Sequence, residues 1–257
     1  VKIVGIDCAT RPEKVGLALG RLGPKGLPVL ESATVGGAWD RIGERVRGWM
    51  EGSTSGLICM DAPLGWPSGM GAALAGHAAG DRISVPADML FSRETDRFVR
   101  RMVGKRPMEV GAERIARTAL AALELLSSLR TALGREIRLA WSKGFAGLGA
   151  IEVYPAGTLA ERSWPHSGYK GPGGRAAERR TEILNLLEHE VEIGSAADRC
   201  SLMSNADVLD SAICVLAGAD FLLGRCWLPQ DSALAETEGW IWIGKKDACP
   251  ADNGREG

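Results

Sequence analysis

Val1-Lys2-Ile3-Val4-Gly5-Ile6-Asp7-Cys8 opens the chain as a short, β-branched, apolar run that meets its first acid at Asp7. Such a run reads as a buried strand, since a strand covered on both faces needs apolar side chains in both directions. Alternation puts Ile3, Gly5 and Asp7 on one face. A carboxylate at the end of that run adds nothing to packing, and Gly5 leaves room beside it for something to approach the backbone. The competing reading of Asp7 is an ordinary polar residue at a strand exit.

Two further strand-like runs follow, at 14–22 and 27–35, joined by the turn signal Gly23-Pro24-Lys25-Gly26. With the first run they predict an antiparallel meander. Residues 38–50 repeat Trp39, Ile42, Val46 and Trp49 at helical spacing. Residues 56–60 (GLICM) form a fourth strand, ended by Asp61-Ala62-Pro63. The texture then changes over 64–107, rich first in Gly, Ala, Met and Pro and then in charge, which predicts an excursion over the sheet. A helix at 110–133, a fifth strand at 150–154 (AIEVY), a glycine loop at 170–175 (KGPGGR) and a charged helix at 176–189 come next. The most apolar helix of the chain spans 205–223, and 239–243 (GWIWI) reads as a last strand.

Three meandering strands, a crossover helix and a parallel fourth strand describe the first half of a ribonuclease-H-like domain. The expected fold class is therefore α/β, with a mixed central sheet of three antiparallel strands and then parallel strands, flanked by helices. One domain is expected over 1–246, with 64–107 inserted on the active-site side, and a disordered tail over 247–257.

Composition narrows the function classes. The chain has 257 residues, 45% hydrophobic and 25% charged, ordinary values for a folded globular protein. A net charge of −1 supplies no global field toward nucleic acid or membrane, so nucleic-acid binding must rest on a local basic patch. The six cysteines are scattered, without a Cys-x-x-Cys pair, and the three histidines stand near none of them. That pattern argues against a zinc site or a disulfide scaffold and fits a reducing compartment. No apolar stretch reaches about 18 uncharged residues, so no membrane partner is expected. The expected compartment is the cytoplasm.

The chemistry is carried by carboxylates. Asp61 ends a buried strand as Asp7 does, and in parallel α/β sheets ligands collect at those ends; alone it is also an ordinary turn residue before Pro63. Between Ala206 and Leu223 the only charges are Asp207, Asp210 and Asp220. A helix this apolar is buried on most sides, so Asp210 requires a cation or a proton. Asp207 and Asp210, three apart, share a face and repel each other, and a shared hard cation such as Mg²⁺ or Mn²⁺ resolves both problems. The competing reading of Asp207 is a first-turn acid complementing the helix dipole, behind Ser204 or Asn205 as cap. Glu152 interrupts the fifth strand and is either a further ligand, a substrate contact or an exposed edge position.

Together, Gly5-Ile6-Asp7, Met60-Asp61-Ala62-Pro63-Leu64-Gly65, Thr95-Asp96-Arg97-Phe98-Val99-Arg100, Glu152-Val153-Tyr154-Pro155 and Asp207-Val208-Leu209-Asp210-Ser211-Ala212 occur in an order that resembles domain of unknown function family 429. That family is described as predicted nucleases of the ribonuclease-H fold. The resemblance spans roughly residues 1–243. It implies a metal-dependent phosphodiesterase in which Asp7, Asp61 and Asp210 match the metal-ligand positions of Holliday-junction resolvases, with Asp207 as companion acid and Glu152 at the site.

In such a site Mg²⁺ or Mn²⁺ activates a water and neutralises charge on the scissile phosphate. Residues 93–106 carry six cations against two acids, and Arg97 and Arg100, three apart, are placed to face one phosphate. The competing reading is a solvated charged face. The expected partner is thus a nucleic acid or nucleotide phosphodiester, and a two-fold homodimer suits a duplex or branched one. Two alternatives stand. One is a non-catalytic binding module on the same fold. The other is an actin-like phosphotransferase, disfavoured because the chain offers one core and no Walker-type phosphate loop.

Overall fold

Strand β1 (Lys2–Asp7) lies at the middle of a seven-stranded mixed sheet. The computed structural model describes residues 1–24, 26–111 and 113–245, and the tail expected at 247–257 lies outside them. Strands β2 (Gly16–Leu22) and β3 (Pro28–Val35) run antiparallel to β1 and to each other, as the meander predicts. After helix α1 (Trp39–Met50), strand β4 (Gly56–Asp61) returns parallel to β1 with Asp7 opposite Asp61. Helices α2 (Ser68–Leu74), α3 (Ala87–Phe91) and α4 (Glu94–Val103) form the excursion after β4, and α5 (Glu113–Leu133) follows. Parallel strands β5 (Ile137–Leu139) and β6 (Leu148–Glu152), helices α6 (Pro155–Glu161) and α7 (Gly174–Leu187), short β7 (Glu192–Ile193), and helices α8 (Ala196–Ser204), α9 (Ala206–Leu222) and α10 (Ser232–Glu238) complete the order. The sheet reads β5-β6-β4-β1-β2-β3-β7, which is the ribonuclease-H-like topology.

Strand alternation divides the core into two layers. Val4, Ile6, Ile58, Met60 and Ala150 pack against Ile42 and Val46 of α1 and Leu125, Leu126 and Leu129 of α5. Ile3, Leu57, Cys59 and Ile151 face the other way, onto Val208, Ala212 and Val215 of α9. Because Asp7 and Asp61 share parity with Ile3 and Leu57, both acids point to the α9 side.

Helix α9 lies directly on the sheet, and two strand glycines allow it. A Cβ on Gly5 would sit 2.0 Å from the Ser211 carbonyl oxygen, and one on Gly16 would sit 1.9 Å from that of Asp207. Backbone cannot yield as a side-chain tip can, so Gly5→Ala is expected to push α9 off the sheet at a cost of about 3 kcal/mol. Chemical denaturation measures it. A change below about 1 kcal/mol would show that the helix has slack there.

The terminal segment differs from expectation. Residues 239–243 do not form a strand: Ile241 makes a single bridge to Glu152, because Trp240, Trp242 and Ile243 turn into the cores instead. Strand β5 at the sheet edge was not anticipated, since three residues carry no periodicity. Cys8, Cys59, Cys214 and Cys226 are free and buried, while Cys200 is exposed. Among the described residues no single helix is long and apolar enough to cross a membrane.

Candidate metal centre

Three elements bring one carboxylate each to a common point. Asp7 and Asp61 end the adjacent parallel strands β1 and β4, and Asp210 projects from the second turn of α9, fully buried. One oxygen from each lies within 4.8 Å of the others. Hard oxygen donors in this number and spacing suit a divalent cation such as Mg²⁺ or Mn²⁺.

The electrostatics of the cluster agree with that fit. Burial, and then the neighbouring charges of Asp210 and Asp61, hold the Asp7 carboxyl well above the usual range. Burial pushes Asp61 up to about 7, with Lys170 pulling the other way and Asp210 adding to the rise. A carboxyl whose proton is held more tightly in the folded state favours folding below its unfolded pKa of about 4, and that contribution is lost as pH rises toward 7. A bound cation replaces the proton. The rise in Tm caused by Mn²⁺ is therefore expected to be small near pH 5 and to grow through pH 7 and above. A thermal shift that is flat across pH 5–8 contradicts the assignment.

Asp210 is also held by the segment before α7. The Tyr169 hydroxyl donates to Asp210 Oδ1 at 2.8 Å, and the Lys170 ammonium lies 2.5 Å from Oδ2. Tyr169 stays protonated, since burial and the Asp210 charge both raise its pKa. Burial pulls Lys170 down, but Asp210, Asp61 and Asp7 together raise it and keep it charged.

Asp207 lies on the wall of the same cleft, half-buried. Its carboxylate is not the helix cap: Asn205 Oδ1 accepts the backbone N–H groups of Asp207 and Val208 at 2.8 and 3.3 Å. That leaves the Asp207 carboxylate available to the cleft.

Glu152 lies on the cleft wall but does not join the three acids. It pairs with Met60 in the β4–β6 register, so its parity is that of the α1/α5 layer. Its two oxygens accept from Arg93 Nη1 and Nη2 at 2.8 and 2.7 Å, and Oε2 also accepts from the Leu64 N–H. Arg93, 1% exposed, additionally donates to Asp96 Oδ1 at 2.9 Å and to the Glu238 carbonyl at 3.3 Å. The Glu238 carboxylate accepts the Ser68 and Glu94 N–H groups at the starts of α2 and α4. This buried network fastens the excursion to the sheet.

Arg97 and Arg100 are not on the cleft wall. Arg97 is committed to Glu94 and to the carbonyls of Asp88 and Ser92, and Arg100 is exposed near the end of α4. The cations that do line the cleft are Arg11 and Lys14 after β1, Arg114 at the start of α5, Lys170, and the buried Arg93. The cleft has a volume of about 460 Å³. Nothing in the sequence marked Arg11, Lys14 or Arg114: Arg11 precedes and Lys14 ends a single 3₁₀ turn at Pro12–Lys14, and Arg114 lies in the first turn of α5.

The family described as protein of unknown function DUF429 matches residues 5–234. The chain belongs to that family. No curated protein matches this DUF429 chain. Among solved structures it is similar to the yeast mitochondrial Holliday junction resolvase Ydc2, at 7% identity over 84% of this chain and 81% of that one, with a TM-score of 0.35. A likeness that distant carries no argument about activity.

Proposed function

We propose that this DUF429 protein is a metal-dependent phosphodiester hydrolase of nuclease type, acting on nucleic acid or nucleotide phosphodiesters. The observation that supports it best is the meeting of Asp7 and Asp61, at the carboxyl ends of β1 and β4, with Asp210 of α9 within 4.8 Å, the first two on the wall of an open cleft and Asp210 fully buried beside them. Basic side chains at Arg11, Lys14 and Arg114 on the walls suit an anionic substrate. A bound Mg²⁺ or Mn²⁺ would acidify a water and offset the charge developing at the scissile phosphate.

The chain's own part is positioning. Asp7, Asp61 and Asp210 hold the ion, and Tyr169 and Lys170 fix the orientation of Asp210 so that its carboxylate does not swing between partners. Asp207, uncommitted at the cleft wall, is placed to accept a proton or orient a water. Arg11, Lys14 and Arg114 bind the flanking phosphates.

The test is direct. The full chain with millimolar Mn²⁺ is expected to cleave at least one of single-stranded DNA, RNA or bis(p-nitrophenyl) phosphate, with EDTA abolishing the reaction. Failure on all of these at saturating Mn²⁺ would leave the non-catalytic binding module as the better reading.

A further inference from the structure

The carboxylate cluster already contains a cation of its own. Lys170 Nζ stands 2.5 Å from Asp210 Oδ2, while the Lys170 side chain is 55% exposed along the cleft. The ammonium meets a fully buried acid, and the side chain as a whole stays on the cleft wall.

That placement is built rather than incidental. Tyr169, the residue before it, is 1% exposed and bonded to the other oxygen of Asp210. Arg180 of α7 donates to the carbonyl oxygens of Tyr169 at 2.7 Å and Gly171 at 3.3 Å, one on each side of Lys170. Its Nε reaches the Met203 carbonyl at 2.7 Å, near the end of α8, two residues before the cap of α9. One buried guanidinium therefore ties the loop that carries the lysine to the entry of the helix that carries the acid. The backbone on both sides of Lys170 is thereby fixed before any ion binds.

Charge completes the case. Counted with Asp207, the four carboxylates and one ammonium are left one negative charge by a single divalent ion. A second divalent ion would overcharge the pocket while Lys170 is present. Without Lys170, Asp207 on the same face of α9 supplies the fourth negative charge that a second ion needs.

Resting on the metal-dependent reading above, we infer that Lys170 is the permanent second cation of this centre. The site then takes one divalent ion, and the ammonium stands where a second would otherwise bind. Its remaining N–H groups are directed to an oxygen of the substrate phosphate.

Counting bound Mn²⁺ by the loss of the free-ion electron paramagnetic resonance signal tests this without any turnover. The full-length wild type is expected to bind one Mn²⁺ per chain, Lys170→Arg one, and Lys170→Met and Lys170→Gln two. Two ions in the wild type overturn the inference and leave the metal-dependent reading intact, whether or not the variants fold. One ion in both uncharged variants also overturns it. No ion bound by the wild type removes the inference and the metal-dependent reading together.

Discussion

Arg93→Ala is expected to destabilise the protein by about 3–5 kcal/mol, the penalty typical of breaking a buried ion pair from one side. The guanidinium is 1% exposed and is shared between Glu152 and Asp96, each 4% exposed, with contacts of 2.7 and 2.9 Å. Its removal leaves two carboxylates, each 4% exposed, without their cation. The cost is thus the desolvation of the stranded acids rather than the lost attraction alone. Lysine cannot substitute, since one ammonium does not present the two parallel N–H pairs that bridge these acids. Chemical denaturation of the variant measures the loss, and Arg93→Met combined with Glu152→Leu is expected to recover part of it, because an apolar pair strands only Asp96. A loss below about 1 kcal/mol for Arg93→Ala would mean that the excursion is not fastened through this residue.

Asp7→Asn is expected to lower Mn²⁺-dependent phosphodiester cleavage by about a thousand-fold or more, as losing a preorganised charge contact at a reacting centre commonly does. The stability change should run the opposite way. Burial and then the charges of Asp210 and Asp61 disfavour ionised Asp7, so in EDTA at pH 8 the neutral amide relieves repulsion and raises Tm. Addition of Mn²⁺ then stabilises the wild type more than the variant. Lost activity with raised metal-free Tm separates a ligand from a fold-supporting residue. A variant that is both inactive and less stable in EDTA would contradict the assignment of Asp7.

Much of the site was legible along the chain. Strand-ending acids at Asp7 and Asp61 and an acid inside the apolar helix at Asp210 are visible without coordinates, because burial is written in local composition and an ionised group inside an apolar run calls for a partner. Parity even decided which way Asp7 points. Glu152 was harder. Its face depends on the register Met60↔Glu152, which no periodicity within five residues of strand reveals. Arg97 and Arg100 looked like a phosphate clamp at helical spacing, but α4 is docked through Arg93, Glu94, Thr95 and Phe98, and neither Arg97 nor Arg100 lies on the cleft wall.

What the sequence determined by itself is the meander with its crossover helix and parallel fourth strand, the shared face of Ile3, Gly5 and Asp7, and the acids that need a cation. These follow from alternation and hydrophobic period, interactions that span a few residues. What only the tertiary structure decided is which charges meet: Arg93 with Glu152 across 59 positions, Tyr169 with Asp210 across 41, and Lys170 with the same buried carboxylate. A buried charge requires some partner, and composition states that requirement. Only the packing of distant elements, with the loss of water that makes the contact strong, selects which partner it is.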